Sequence, residues 1–415
     1  MRRLKVLLSA YACAPSQGSE LGVGWGTARE MANHYEVWVL TQSRHRSAIE
    51  AELDRNPVPG LRFAYYELPR WVAWWRRGQK GVRFHSHLWQ FGAYRAARRL
   101  QREAGIELAQ HVTFATYLKP SLLALLPVPL IWGPVGGGES APKTFRRGFG
   151  LRGRAHEVVR DLARWWGERD PFVRLTAHRC ALALAATEET AVRLHRLGVK
   201  DVRVLNQVSL SEEEVDLLNH RGGRPLTRQG PTEPTRFVSV GRLLHWKGFH
   251  LGLRAFARAR LSDAEYWVMG DGPDQERLRI LVKELGIAHQ VKFWGKLPRD
   301  ETLRKLGESH VLVHPSLHDS GGFVCLEAMA SGLPVICLDL GGPAVQVTED
   351  TGFKVPAIKP EQALDDLAAA MKVLSEDRSL RLRMGEAARS RAARHFNWRG
   401  KGARLAELYE GVLHT

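Results

Sequence analysis

The stretch Val311-Leu312-Val313-His314-Pro315-Ser316, taken up again at Asp319-Ser320-Gly321-Gly322-Phe323-Val324-Cys325-Leu326-Glu327-Ala328-Met329-Ala330-Ser331-Gly332-Leu333-Pro334-Val335-Ile336, decides how this chain folds. An apolar run too short for a helix ends in a polar Gly-Gly turn. A helical segment follows from about residue 325, and a second short apolar run covers 335–338. Strand, turn, helix and strand in that order make a β-α-β unit, which implies a mostly parallel sheet with helices on both faces. The same stretch carries chemistry. Asp319 and Glu327 stand eight residues apart across the turn and the helix start, so both can face one ligand. Unpaired backbone N–H groups near Phe323 and Val324 can meet an anion. A carboxylate can accept two hydroxyls at once, which suits a polyol. The plainer alternative makes Asp319 a turn residue and Glu327 a surface acid.

The rhythm extends upstream. Residues 236–240, 266–269, 291–293 and 311–314 read as strands, with helices at 249–260, 274–285 and 301–308 between them. The first strand of this group ends in Gly241-Arg242-Leu243, and Lys247-Gly248 comes just before a helix. A glycine at a strand's carboxyl end lets the backbone turn close to a ligand. Arg242 and Lys247 can then converge on one diphosphate and neutralise charge on a leaving group. Either cation alone reads equally well as a surface charge. Met269-Gly270-Asp271-Gly272-Pro273 repeats the strand-end placement, although Gly-Asp-Gly by itself is a common turn.

The first half has the same organisation, with strand-like runs at 5–10, 37–40, 62–67, 106–111 and 128–132 and helical stretches between them. Residues 141–166 read as a helical, basic insertion, and the apolar pattern fails from about 209 to 235. The expected organisation is a Rossmann-like domain over 1–210 and a linker over 211–235. A second Rossmann-like domain over 236–390 follows, then a C-terminal helical segment, 391–415, packing back on the first domain. At 415 residues two cores of roughly 200 residues each are the natural division. Two doubly wound halves facing each other across a cleft would bind ligand beyond the carboxyl ends of their strands.

The formal net charge is +17. Arginines cluster with aromatics in Arg70-Trp71-Val72-Ala73-Trp74-Trp75-Arg76-Arg77, at 95–102 and at 143–169. A nucleic-acid surface, an anionic membrane surface and a merely solvated Arg-rich face are the three readings. Tryptophan beside arginine favours the membrane over nucleic acid. The four cysteines, Cys13, Cys180, Cys325 and Cys337, are dispersed, with no zinc spacing. The first apolar run is too short for a secretory h-region, and no stretch approaches 18 apolar residues. The expected location is the cytoplasm, with peripheral contact at the inner face of the cell membrane.

Together, Gly241-Arg242-Leu243 with Lys247-Gly248, Gly270-Asp271-Gly272-Pro273, Phe293-Trp294-Gly295 and residues 319–334 followed by Gly341-Gly342 resemble the donor half of glycosyltransferase family 4, also described as glycosyl transferases group 1. These are retaining enzymes of the GT-B fold that build polysaccharides and glycolipids. The first half resembles a subgroup of that family through Gly18-Ser19-Glu20-Leu21-Gly22-Val23-Gly24-Trp25 and Trp132-Gly133-Pro134-Val135-Gly136-Gly137-Gly138-Glu139.

The resemblance implies a hexosyltransferase using a nucleoside diphosphate sugar as co-substrate, with no required cofactor or metal, and a glycan or lipid-linked acceptor. By it, Arg242 and Lys247 hold the donor diphosphate and Glu327 the nucleotide ribose. Asp319, standing where the family has a glutamate, meets sugar hydroxyls together with the backbone of Gly321, Gly322, Phe323 and Val324. The backbone of Gly295, Lys296 and Leu297 meets the base. His111 lies near the donor sugar, Gly18 and Ser19 approach the diphosphate or acceptor, and Glu20 and Glu139 are acceptor candidates. A sugar-nucleotide epimerase or hydrolase of the same fold is the nearest rival. A basic nucleic-acid-binding protein and a non-catalytic carrier are more remote ones.

Overall fold

The short apolar runs become strands of two sheets, one in each half of the chain. In this computed structural model residues 3–15, 20–73, 81–221 and 233–414 are described. The first sheet contains β1 (Lys5–Ser9), β2 (Glu36–Thr41), β3 (Leu61–Tyr65), β4 (Leu108–His111), β5 (Leu130–Val135), β6 (Leu182–Ala185) and β7 (Val202–Val204). The second contains β8 (Thr235–Val240), β9 (Ala264–Met269), β10 (Val291–Gly295), β11 (Val311–His314), β12 (Val335–Leu338) and β13 (Gly352–Val355).

Among the described residues the strand orders are β3-β2-β1-β4-β5-β6-β7 and β10-β9-β8-β11-β12-β13, with every pairing parallel. Parallel strands covered by helices on both faces must be apolar throughout. Accordingly β4, β5, β6, β11 and β12 are buried at every position. The order reverses between β1 and β4 and between β8 and β11, the topological switch points where loops diverge and leave room for a ligand. Both halves are therefore Rossmann-like.

The chain divides into two compact units. The first comprises the residues up to Gly138, then Asp161–Val208, and those from Trp398 onward; the second comprises Glu139–Arg160 and Ser209–Asn397. Two features depart from the divisions read in the sequence. Residues 139–160 belong to the second unit, because Phe145 and Phe149 enter its core with Leu243 and Phe249. Arg277 also donates to the Gly148 carbonyl at 2.8 Å. Part of the expected linker is the helix Glu212–Arg221. Its start is fixed by a reciprocal cap, Glu214 N–H to Ser211 Oγ at 3.0 Å and Ser211 N–H to the Glu214 carboxylate at 2.9 Å. Residues 222–232 of that stretch lie outside the described residues, as do 74–77 of the Trp-Arg cluster.

The last helix runs Trp398–Leu413, within the expected helical segment 391–415, and groups with the first unit. A β-carbon at Gly26 would sit 2.3 Å from the Trp398 ring, so only glycine lets helix Glu20–Ala32 accept that indole. Tyr409 Oη bonds Gln110 Oε1, and Tyr35 Oη donates to the Ala406 carbonyl at 3.1 Å.

Candidate functional site

In the second unit the loops leaving β8 and β11 meet at the switch point. After β8 the chain forms a single turn, His245–Lys247, ended by Gly248 with φ 70°. A β-carbon there would lie 1.8 Å from the Pro315 carbonyl oxygen. Leu317 N–H donates to the Trp246 carbonyl at 2.8 Å, stitching the loops together. This close approach delivers Lys247 Nζ to Asp319 Oδ2 at 2.5 Å, where His314 Nε2 also lies at 3.1 Å. The other carboxylate oxygen accepts from Gly321 N–H at 3.3 Å and Gly322 N–H at 3.2 Å.

Burial alone would raise the Asp319 pKa, but Lys247 and His314 outweigh it and hold the carboxyl well below the usual carboxylate range. Burial pushes His314 below its ordinary value, against the pull of Asp319. The resemblance gives Asp319 to sugar hydroxyls; the structure supplies four protein donors instead, which fill the capacity of one carboxylate. Asp319 thus orders its own loop and fixes Lys247.

Beyond Gly322, helix Phe323–Ala330 begins with no side-chain cap. The Phe323 and Val324 N–H groups have no acceptor among the described residues, leaving the anion-binding end of a helix open. Glu327 lies on that helix, buried, and accepts from Arg299 Nη1 at 2.5 Å. Arg299 also reaches Glu214 at 3.5 Å. Burial raises the Glu327 pKa, and Arg299 opposes the rise. Sequence reading misses Arg299, one of many surface-looking arginines.

Arg242, two residues beyond β8, is exposed, and its side chain makes no hydrogen bond or ion pair among the described residues. Its loop is braced by the Gly270-Asp271-Gly272-Pro273 turn: Leu243 N–H donates to the Asp271 carbonyl at 2.7 Å and Gly241 N–H to Met269 at 2.9 Å. Gly270 N–H in turn donates to the Gly295 carbonyl at 2.7 Å. These bonds place Gly241, Gly270 and Gly295 side by side at the carboxyl ends of β8, β9 and β10. Lys296 is exposed and Leu297 half-buried just beyond.

Glu139, read in the sequence as a first-domain acid, belongs to the second unit. It is buried and accepts from Ser320 Oγ at 2.7 Å, one residue from Asp319. A second buried acid nearby, Glu157, has no counterpart in the sequence reading. Among the described residues its carboxylate oxygens make no hydrogen bond, yet His245, His318 and Arg160 lie 3.7 Å away and Arg146 3.8 Å away. Burial would raise its pKa, but the two histidines and Arg160 drive it far below normal. Trp246 stacks between His156 and His318, with ring centroids 5.3 and 5.1 Å apart. The residue before Lys247 is thereby clamped. The placement of Glu157 on one helix face with Gly153 and Arg164, opposite the apolar side chains, is the signal that could have revealed this group.

In the first unit His111 ends β4, buried, with Nε2 3.2 Å from both Gln90 Nε2 and the Thr113 carbonyl. Its Nδ1 has no hydrogen-bond partner among the described residues. Burial pushes its pKa down to about 4, so the ring is neutral at pH 7. Glu20 opens helix Glu20–Ala32 and accepts from Phe114 N–H at 3.0 Å. Gly18 and Ser19 lie outside the described residues.

Residues 228–391 match the family described as Glycosyl transferases group 1. The chain is 30% identical over 262 residues to 2-deoxystreptamine glucosyltransferase of Streptomyces kanamyceticus, covering 62% of this chain and 65% of that protein, just under two thirds of its length. It is 34% identical over 304 residues to D-inositol 3-phosphate glycosyltransferase of Corynebacterium diphtheriae, covering 63% of this chain and 69% of that one. Further corynebacterial relatives are matched over less than half their length. In fold it is similar to HepE of Anabaena, solved in complex with UDP, with a TM-score of 0.60 at 15% identity, covering 98% of this chain and all of that one. Family match, relatives and fold agree: the chain belongs to the glycosyl transferases group 1 family.

Proposed function

We propose that the chain transfers a hexosyl group from a nucleoside diphosphate sugar to an acceptor hydroxyl with retention of configuration, as a member of glycosyltransferase family 4. The observation that carries this reading is the Lys247–Asp319 pair at the β8/β11 switch point. It fixes a cation beside the open N-terminus of helix Phe323–Ala330, with the unpaired Arg242 on the adjoining loop. In this assignment Lys247 and Arg242 hold the diphosphate, helped by the Phe323 and Val324 amides. Glu327 takes the ribose hydroxyls in exchange for, or alongside, Arg299. The backbone from Gly295 through Lys296 to Leu297 meets the base. Gly321 and Gly322 line the sugar end, and Asp319 acts through Lys247. His111, neutral and with an open Nδ1, serves as a hydrogen-bonding group toward the donor sugar rather than as an acid. Gly18, Ser19, Glu20 and Glu139 keep the donor- and acceptor-side roles implied by the resemblance.

The bond from the anomeric carbon to the diphosphate oxygen breaks as the acceptor oxygen bonds the same face. The acceptor proton passes to the departing phosphate, whose charge Lys247 and Arg242 stabilise. No metal is assigned, because these cations would supply the positive charge. The names of the relatives point to polyhydroxylated acceptors. The basic, aromatic first half favours a lipid-linked or polysaccharide acceptor of cell-surface glycan synthesis, used at the cytoplasmic side of the membrane.

A thermal-shift panel of nucleoside diphosphates and their sugars tests this. One of them should raise the melting temperature by an amount set by its affinity. No response to any member rejects the assignment, and sugar release without an acceptor would favour the hydrolase or epimerase reading.

A further inference from the structure

Helix Leu151–Gly167 is built inside out. Successive residues turn by about 100° around a helix, so Leu151, Val158, Val159, Leu162, Trp165 and Trp166 share one face. That face is exposed, with Leu151 83% and Trp166 70% accessible. The opposite face holds Gly153, Glu157 and Arg164, all buried. A helix packing on a protein core shows the reverse pattern. Arg147, Arg152, Arg154 and Arg169, all exposed, flank the apolar face, and the Arg169 guanidinium sits 4.1 Å over the Trp165 ring. Five residues beyond the helix, Phe172 lines a groove with Phe91, Leu125, Arg95, Arg98 and Arg102, which repeats the apolar-plus-cationic chemistry. Among the described residues no helix is long and apolar enough to cross a membrane.

We propose that the Leu151–Trp166 face of this helix lies in the interfacial plane of an anionic lipid bilayer. The tryptophans and aliphatic side chains enter the headgroup boundary while the flanking arginines meet lipid phosphates. The occupant follows from charge complementarity: a net charge of +17 and arginines at the rim fit a negative surface. The proposal goes beyond the transfer reaction and does not depend on it.

Flotation of the full-length protein with phosphatidylglycerol/phosphatidylcholine vesicles, against phosphatidylcholine alone, tests it. The wild type should rise with the anionic vesicles and be released by high salt. Leu162→Ser combined with Trp166→Ser should weaken binding by at least about tenfold. Arg152→Glu with Arg154→Glu, which leaves the apolar face intact, should also weaken it, and circular dichroism should be unchanged in both variants. Absence of flotation with anionic vesicles, or equal binding by the Ser variant, overturns the proposal. So does a dimer seen by light scattering that the Ser variant dissociates, since a second copy would then be the occupant.

Discussion

At the scale of single residues, the sequence identifies the charged groups but not what they hold. Lys247, Asp319 and Glu327 are visible from strand-end and helix-start positions. Their partners His314 and Arg299 are not, because nothing local distinguishes them from other basic residues. The consequence is testable for Lys247. Lys247→Ala removes both the cation assigned to the leaving diphosphate and the main partner of a largely buried carboxylate. Turnover should fall by about a hundredfold or more, and the protein should also lose roughly 1–3 kcal/mol of stability as Asp319 is left without its cation. Adding Asp319→Asn should recover stability, because the orphaned charge is gone, without recovering turnover. Denaturant unfolding and turnover measured on the same three proteins separate the two effects. Recovery of turnover in the double variant would remove Lys247 from the chemistry.

At the scale of elements, strands are read best, since a run of four to six apolar residues between turn signals has few alternatives. The β8 to β12 strands fall close to their expected places. Helices stabilised by distant partners are read poorly. Segment 139–160 lies within the stretch expected for the first domain, yet joins the second unit because Phe145 and Phe149 pack on residues about a hundred positions later. Helices Pro360–Glu376 and Arg378–His395 also escape sequence reading. The linker shows a missed local signal: Ser211 with Glu214 is a capping box, yet the Gly- and Pro-rich residues after it dominate the composition. Ser211→Ala should therefore destabilise the second unit by about 1 kcal/mol, seen as a lowered denaturant midpoint with unchanged slope. An unchanged midpoint would mean that packing alone holds this helix.

At the scale of the whole molecule, a chain with many more cations than anions keeps several of its histidines neutral by burial. His111 and His318 are pushed down to about 4, and His250 and His310 to about 3. Burial is the largest cause for each, with neighbouring arginines adding to it for His250, His310 and His318. Unfolded histidines titrate near 6.5, so between that pH and the folded values the unfolded chain binds more protons, and stability must fall as pH falls. Asp319, whose folded pKa is depressed, contributes stability above its unfolded value that is lost only below about pH 4. Glu327, whose pKa burial raises, works the other way, its contribution being present at low pH and lost as pH rises. The melting temperature should therefore begin to drop at about pH 6.5, well before carboxylates protonate, by roughly 2–4 °C for each kcal/mol lost. Three of the four histidines, His250, His310 and His318, lie in the second unit, so calorimetric scans from pH 7.5 to 4 should show that unit's transition moving furthest. A transition that stays level down to pH 5 would mean these rings are already protonated in the folded protein and that burial is not what holds their charge in check.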